Sequence, residues 1–217
     1  MIAALVNLAP GVGRTTLAVN LAGELALQGK RVLLLDVDGK AGALEWAAMR
    51  RRNGLPALFD TVSITSAQLR HGLWGLGGSF DHVVIDTPAR SSVALRAALL
   101  ATETVLMPTP PDREAFGRCA ATMQLVVEVL AVEPLLAASL VLTSAPEGLV
   151  VEPGAEATVL GLRLPVSAAV VRECRTFAES RDTGLLVPEI EMAGRAEADV
   201  RHLVSEVFGL GTVPVTG

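Results

Sequence analysis

Short apolar runs recur at residues 2–6, 31–35, 82–85, 104–107 and 139–142, each nearly unbroken by polar residues. Between most of them the spacing turns helical, most clearly over 15–28 and 115–132. Strands without polar alternation are buried on both faces, and their alternation with helices indicates a parallel sheet covered on both sides. The pattern predicts an α/β fold: a doubly wound, mostly parallel sheet with helices on both faces. A sixth short strand is expected over 187–190, and a final helix over 195–208, ended by Gly209-Leu210-Gly211. Residues 148–161, with Pro153 and several glycines and acids, read as a mobile surface segment, and 72–79 as a glycine-rich turn before the third strand. No repeat, low-complexity tract or linker divides the chain, so one domain over 1–217 is expected.

Composition narrows the classes. The 217 residues suffice for one sizeable core. Half of them are hydrophobic, mostly Ala, Leu and Val, and only 3% are aromatic, which suits helices packed closely on a sheet. A net charge of -5 argues against a uniformly basic nucleic-acid binder but leaves room for a local basic patch. Cys119 and Cys174 are too few for a disulfide framework. The N-terminus lacks the basic region of a signal peptide, and no apolar run reaches the ~20 residues that span a bilayer. A soluble cytoplasmic protein is expected. His71, His82 and His202 are scattered, without Cys/His metal spacing, and no serine elbow is present.

The chemistry gathers after the first apolar run. Asn7-Leu8-Ala9-Pro10-Gly11-Val12-Gly13-Arg14-Thr15-Thr16 joins a strand to a helical pattern, the arrangement that cradles phosphates on backbone amides. Gly11 and Gly13 let the backbone turn tightly, and Thr15 stands where a hydroxyl reaches Mg²⁺. Two further strands end in acids: Asp36 and Asp38 after 31–35, and Asp86 after 82–85. In a parallel sheet these strand ends share an edge with the loop, where ligands bind. Carboxylates there can ligate Mg²⁺ or its waters and orient an attacking water.

With these residues in view, the chain resembles the ParA/MinD family of P-loop ATPases over nearly its whole length. The family's loop reads Lys-Gly-Gly-x-Gly-Lys-Thr-Thr, where this chain has Ala9-Pro10-Gly11-Val12-Gly13-Arg14-Thr15-Thr16. Residues 29–38 are very similar to its second strand, Asp86-Thr87-Pro88 to its Walker B strand end, and 107–112 to its proline-containing segment. The compact length is similar to the small plasmid-partition branch. The resemblance implies ATP and Mg²⁺ bound by Gly11, Val12, Gly13, Arg14, Thr15 and Thr16. Gly11 and Gly13 would hold the β- and γ-phosphates, and Thr16 would touch the α-phosphate. Thr15, Asp36 and Asp86 would serve the metal, Asp38 would position the attacking water, and Arg14 would stand in for the catalytic lysine. It further implies a nucleotide-dependent homodimer, an adaptor or cargo protein, and nonspecific DNA binding through basic residues towards the C-terminus, here Arg172, Arg175 and Arg181. MinD-like members carry a basic amphipathic tail for membranes; residues 209–217 hold no basic residue, so no membrane partner is expected.

The departures bear on catalysis. The family's signature lysine, which reaches the partner's nucleotide, is Ala9. Pro10 fixes φ and removes an N–H. Arg14 is planar and bulkier than lysine, and two fates are open to it: pairing with phosphate, or folding into the loop to neutralise Asp36 or Asp86. Weakened nucleotide binding and slow or absent hydrolysis are expected. The alternative is a pseudo-ATPase scaffold of the same fold. A conjugation or cellulose-secretion accessory would differ in partner only.

Overall fold

The computed structural model describes residues 1–37, 42–70, 73, 79–159 and 161–209. Six strands form one parallel sheet: β1 (Ile2–Leu5), β2 (Val32–Asp36), β3 (Asp60–Ser63), β4 (His82–Asp86), β5 (Thr104–Thr109) and β6 (Ala137–Leu142). Their order is β3-β2-β4-β1-β5-β6. All five apolar runs became strands. Alternate residues of each strand feed opposite faces, as the pleat requires. Ala3 and Leu5 join one core with Leu17, Leu21 and Leu25 of α1 (Arg14–Leu27) and Val200 and Leu203 of α8 (Arg195–Phe208). Ala4 and Val6 join the other, with Leu95 of α4 (Ser92–Leu99) and Met123 and Val126 of α5 (Arg113–Leu130).

Two expectations need correction. The sixth strand is β3, not 187–190. Its Asp-Thr-Val-Ser sequence sits half-open at the sheet edge and needs no apolar run. Residues 187–190 form a short helix, α7 (Val187–Ile190). Pro188 cannot donate to a strand ladder but suits a first helical turn, and Glu189 accepts the Leu186 N–H at 2.7 Å. The segment 148–161 is partly regular: β7 (Glu156–Val159) pairs antiparallel with β8 (Leu162–Pro165), with Gly161 at φ 80°. Of the turn expected over 72–79, only 73 and 79 lie within the described residues. The final helix ends as expected, on left-handed Gly209 at φ 64°. The remaining helices are α2 (Gly42–Arg52), α3 (Ser66–Arg70) and α6 (Arg175–Thr183). Among the described residues, no helix is long and apolar enough to cross a membrane.

Candidate phosphate-binding site

The loop leaves β1 at the middle of the sheet, between β4 and β5, where the chain must rise clear of both neighbours. A polar network sets its entrance. Asn7, fully buried, donates to Pro108 O at 2.8 Å, and its Oδ1 accepts the Ala9 N–H at 2.9 Å. Thr122 of α5 accepts the Leu8 N–H at 2.9 Å and donates to Asn7 Oδ1 at 3.2 Å. On the far side, the Thr143 hydroxyl beyond β6 donates to Val12 O at 3.1 Å. Gly11 and Gly13 adopt φ of 74° and 88°, and a Cβ at either would touch nothing within 4 Å. Backbone conformation, not crowding, therefore requires glycine there. Gly13 caps α1 without any side-chain hydrogen bond, so the first-turn amides keep their donors for an anion, and the helix dipole favours one.

The acids converge as the sheet predicts. Asp36 and Asp86 are register partners at the ends of β2 and β4, both fully buried. Thr15 donates its hydroxyl to Asp86 Oδ2 at 2.6 Å, and Asp36 Oδ2 accepts the Leu44 N–H at 3.0 Å, fixing the start of α2. This hydroxyl–carboxylate pair at the loop is the hard-oxygen chemistry that suits Mg²⁺. Among the described residues, no three His, Cys, Asp or Glu side chains cluster to hold a metal unaided. Bound Mg²⁺ would thus draw further oxygens from phosphate and water. Asp38 lies outside the described residues.

Arg14 has folded under the loop. The residue is only 7% exposed, and its guanidinium donates from Nε to Thr87 O at 3.0 Å and from Nη1 to Ala9 O at 2.8 Å and to Asn7 O. The side chain lies beneath the loop, with backbone carbonyls among its partners. The planar fork pins the start of the loop to the end of β4, a junction a single ammonium nitrogen spans less well.

Beside the loop opens a cleft of about 200 Å³, bounded by Gly11, Gly13, Ser144, Arg172, Cys174 and Phe177. The three arginines named for DNA lie at and along α6. Arg172 precedes the helix, lines this cleft and pairs with Asp199 of α8. Arg175 opens the helix, and Arg181, six residues on, also borders the cleft and lies 3.3 Å from Asp182. Of the Arg50-Arg51-Arg52 run, Arg50 is buried and bridges Glu189 at 2.6 Å.

Sequence reasoning missed Asn7, Thr87, Thr122 and Thr143 as supports of the loop. Asn7 stood in the quoted motif, and its place at the last turn of an apolar run was an available signal. Thr122 and Thr143 had none, since only tertiary packing brings them to the loop.

A sheet with its phosphate loop on the central strand and acids on the neighbouring strand ends defines a P-loop nucleotide-binding fold. A family model for an AAA domain matches residues 1–71. The maintenance of carboxysome distribution protein A of Gloeobacter kilaueensis is 43% identical over 112 residues, 51% of this chain and 49% of that one. Its counterpart in Halothiobacillus neapolitanus is 26% identical over 94% of this chain and 95% of its own. The chromosome-partitioning ATPase Soj of Thermus thermophilus is 33% identical over 59% and 62%. The chain thus spans about half of the first relative and under two thirds of Soj. In fold it is similar to the ATP complex of a Cyanothece McdA variant, with TM-score 0.73 at 15% identity over 98% and 97% of the two chains. Pyrococcus furiosus MinD gives 0.68 at 19% over 97% and 99%. In sequence the chain is similar to Soj-type partitioning proteins, and it shares the fold of MinD and McdA.

Proposed function

We propose that this protein is a ParA-like positioning or segregation factor that binds ATP and Mg²⁺ and switches its assembly with nucleotide. The observation that carries the reading is the preformed loop: left-handed Gly11 and Gly13, an uncapped α1 N-terminus, and Thr15 on Asp86. Gly11, Val12, Gly13, Thr15 and Thr16 hold the phosphates, while Thr15, Asp36 and Asp86 serve Mg²⁺, which supplies charge neutralisation there. Asp38 remains the residue proposed to orient water. Relatives named for carboxysome distribution and chromosome partitioning make a large cargo, a protein compartment or DNA, the proposed load, engaged by a nucleotide-dependent homodimer through an adaptor. Turnover is slow, because Ala9 brings no charge and Arg14 is engaged beneath the loop. Losing one well-placed charge costs on the order of 3 kcal/mol, or about a hundredfold in rate.

The buried Arg14 also favours a second reading, a scaffold in which the arginine ties the loop shut and partners bind without turnover. Calorimetric titration of ATP·Mg²⁺ separates the two. Micromolar binding by the native protein, with a change of oligomeric state, is the expected result. No binding until Arg14→Lys is introduced favours the scaffold, as does one oligomeric state with and without ATP.

A further inference from the structure

The cleft wall that faces the glycines is an extended segment, 170–173, leading into Cys174 and α6. One of its edges is laced to the chain at and beyond the end of β6. Val171 N–H donates to Leu142 O at 2.9 Å, Ala145 N–H to Val171 O at 3.2 Å, and Glu173 N–H to Ala145 O at 2.9 Å. The opposite side is held by Asp199, in the second turn of α8. Asp199 Oδ2 accepts the Arg172 main-chain N–H at 2.9 Å, and Oδ1 accepts from the Arg172 guanidinium. Both carboxylate oxygens thus bind one residue. Asp199 is only 5% exposed, and a buried carboxylate is costly without such partners. Arg172 keeps 28% of its side chain exposed and lines the cleft.

The loop fixes where phosphates lie. From Gly11 and Gly13 the cleft continues to Arg172, Cys174 and Phe177, so whatever extends beyond the phosphates meets this wall. We propose that Asp199 is a positioning residue for the cleft: by holding the amide and guanidinium of Arg172 together, it fixes the wall that contacts the sugar and base of a nucleotide. This rests on the phosphate-loop reading above. A guanidinium pinned in one orientation presents its remaining donors and its flat face without first losing rotamer freedom. Released from Asp199, it must be ordered at each binding event, and the cost falls on the nucleoside portion alone.

The test compares ATP·Mg²⁺ with inorganic tripolyphosphate·Mg²⁺, which occupies only the loop. Calorimetry on the native protein, Asp199→Asn, Arg172→Ala and the double variant would be run beside thermal melting. Each single variant is expected to weaken ATP binding about tenfold, to leave tripolyphosphate within about twofold, and to show no further loss when combined. Equal losses for both ligands, additive losses in the double variant, or unchanged ATP affinity would overturn the proposal. Should Asp199→Asn fail to fold, Arg172→Ala carries the comparison, since it removes a partly exposed side chain. Native protein that binds tripolyphosphate and ATP equally defeats the proposal and leaves the loop reading standing. Native protein that binds neither ligand defeats the loop reading, and the proposal with it.

Discussion

Single side chains decide how the loop is held. Arg14 donates to carbonyls of Asn7, Ala9 and Thr87, and all four residues are buried. Arg14→Ala strips a charged donor from buried acceptors, so a loss of about 3 kcal/mol in denaturant-derived stability is expected. A loss below 1 kcal/mol, on the order of a single ordinary hydrogen bond, would mean the guanidinium holds nothing together. Gly184 makes a second case. It ends α6 at φ 76°, and an added Cβ would lie 2.5 Å from Arg50 N and 2.8 Å from Arg50 Cα. Gly184→Ala combines left-handed strain with a clash against backbone, and a melting curve should show destabilisation by about 2 kcal/mol or more. The Gly184 contact was not legible beforehand, whereas folding into the loop was one of two fates open to Arg14. Gly11, Gly13 and Thr15 could be read because they stand together in one motif, and Asp36 and Asp86 because each ends an apolar strand of the same sheet. Arg14 could be read only as a departure, since its carbonyl partners are Asn7 and Ala9 at the start of the loop and Thr87 just past β4.

At the scale of elements, legibility followed burial. The strands with continuous apolar runs were evident, because both of their faces meet helices. The polar edge strand β3 was not, since one side of it faces solvent and its residues carry no period. Helix α7 was mistaken for a strand because four residues are too few for periodicity to distinguish the two. Packing of α8 on the sheet carries its own pH signature. His82 opens β4 and meets Phe208 edge-on, with ring centroids 5.0 Å apart. Burial holds its pKa below the usual 6.5, with the N-terminal ammonium and Lys30 adding to the shift, while Asp81 and Glu103 oppose it. The unfolded chain therefore binds the proton more readily. Stability from this contact is complete above pH 6.5 and declines as pH falls from there through the lowered folded value. Melting temperatures from pH 7.5 down to about 5 should fall less steeply for His82→Gln than for the native protein. Parallel slopes would remove His82 from the account.

Across the whole molecule, the proposed switch predicts a change of mass. Sedimentation should show a larger species with ATP·Mg²⁺ than without, and Thr15→Ala, which removes the hydroxyl at Asp86, should abolish that difference. A nucleotide-independent mass in the native protein would count for the scaffold. The strand order has one more consequence. β1 and β2 are adjacent in sequence but not in the sheet, because β4 lies between them and β5 closes the other side of β1. The stretch 1–71, where the family model matches, contains the whole glycine loop yet neither strand that borders it. A nascent chain emerging from the ribosome therefore carries its most recognisable motif long before that motif can take shape. The loop must wait, as unpaired apolar chain, until β5 has been synthesised, and cotranslational folding of this protein is bound to be late.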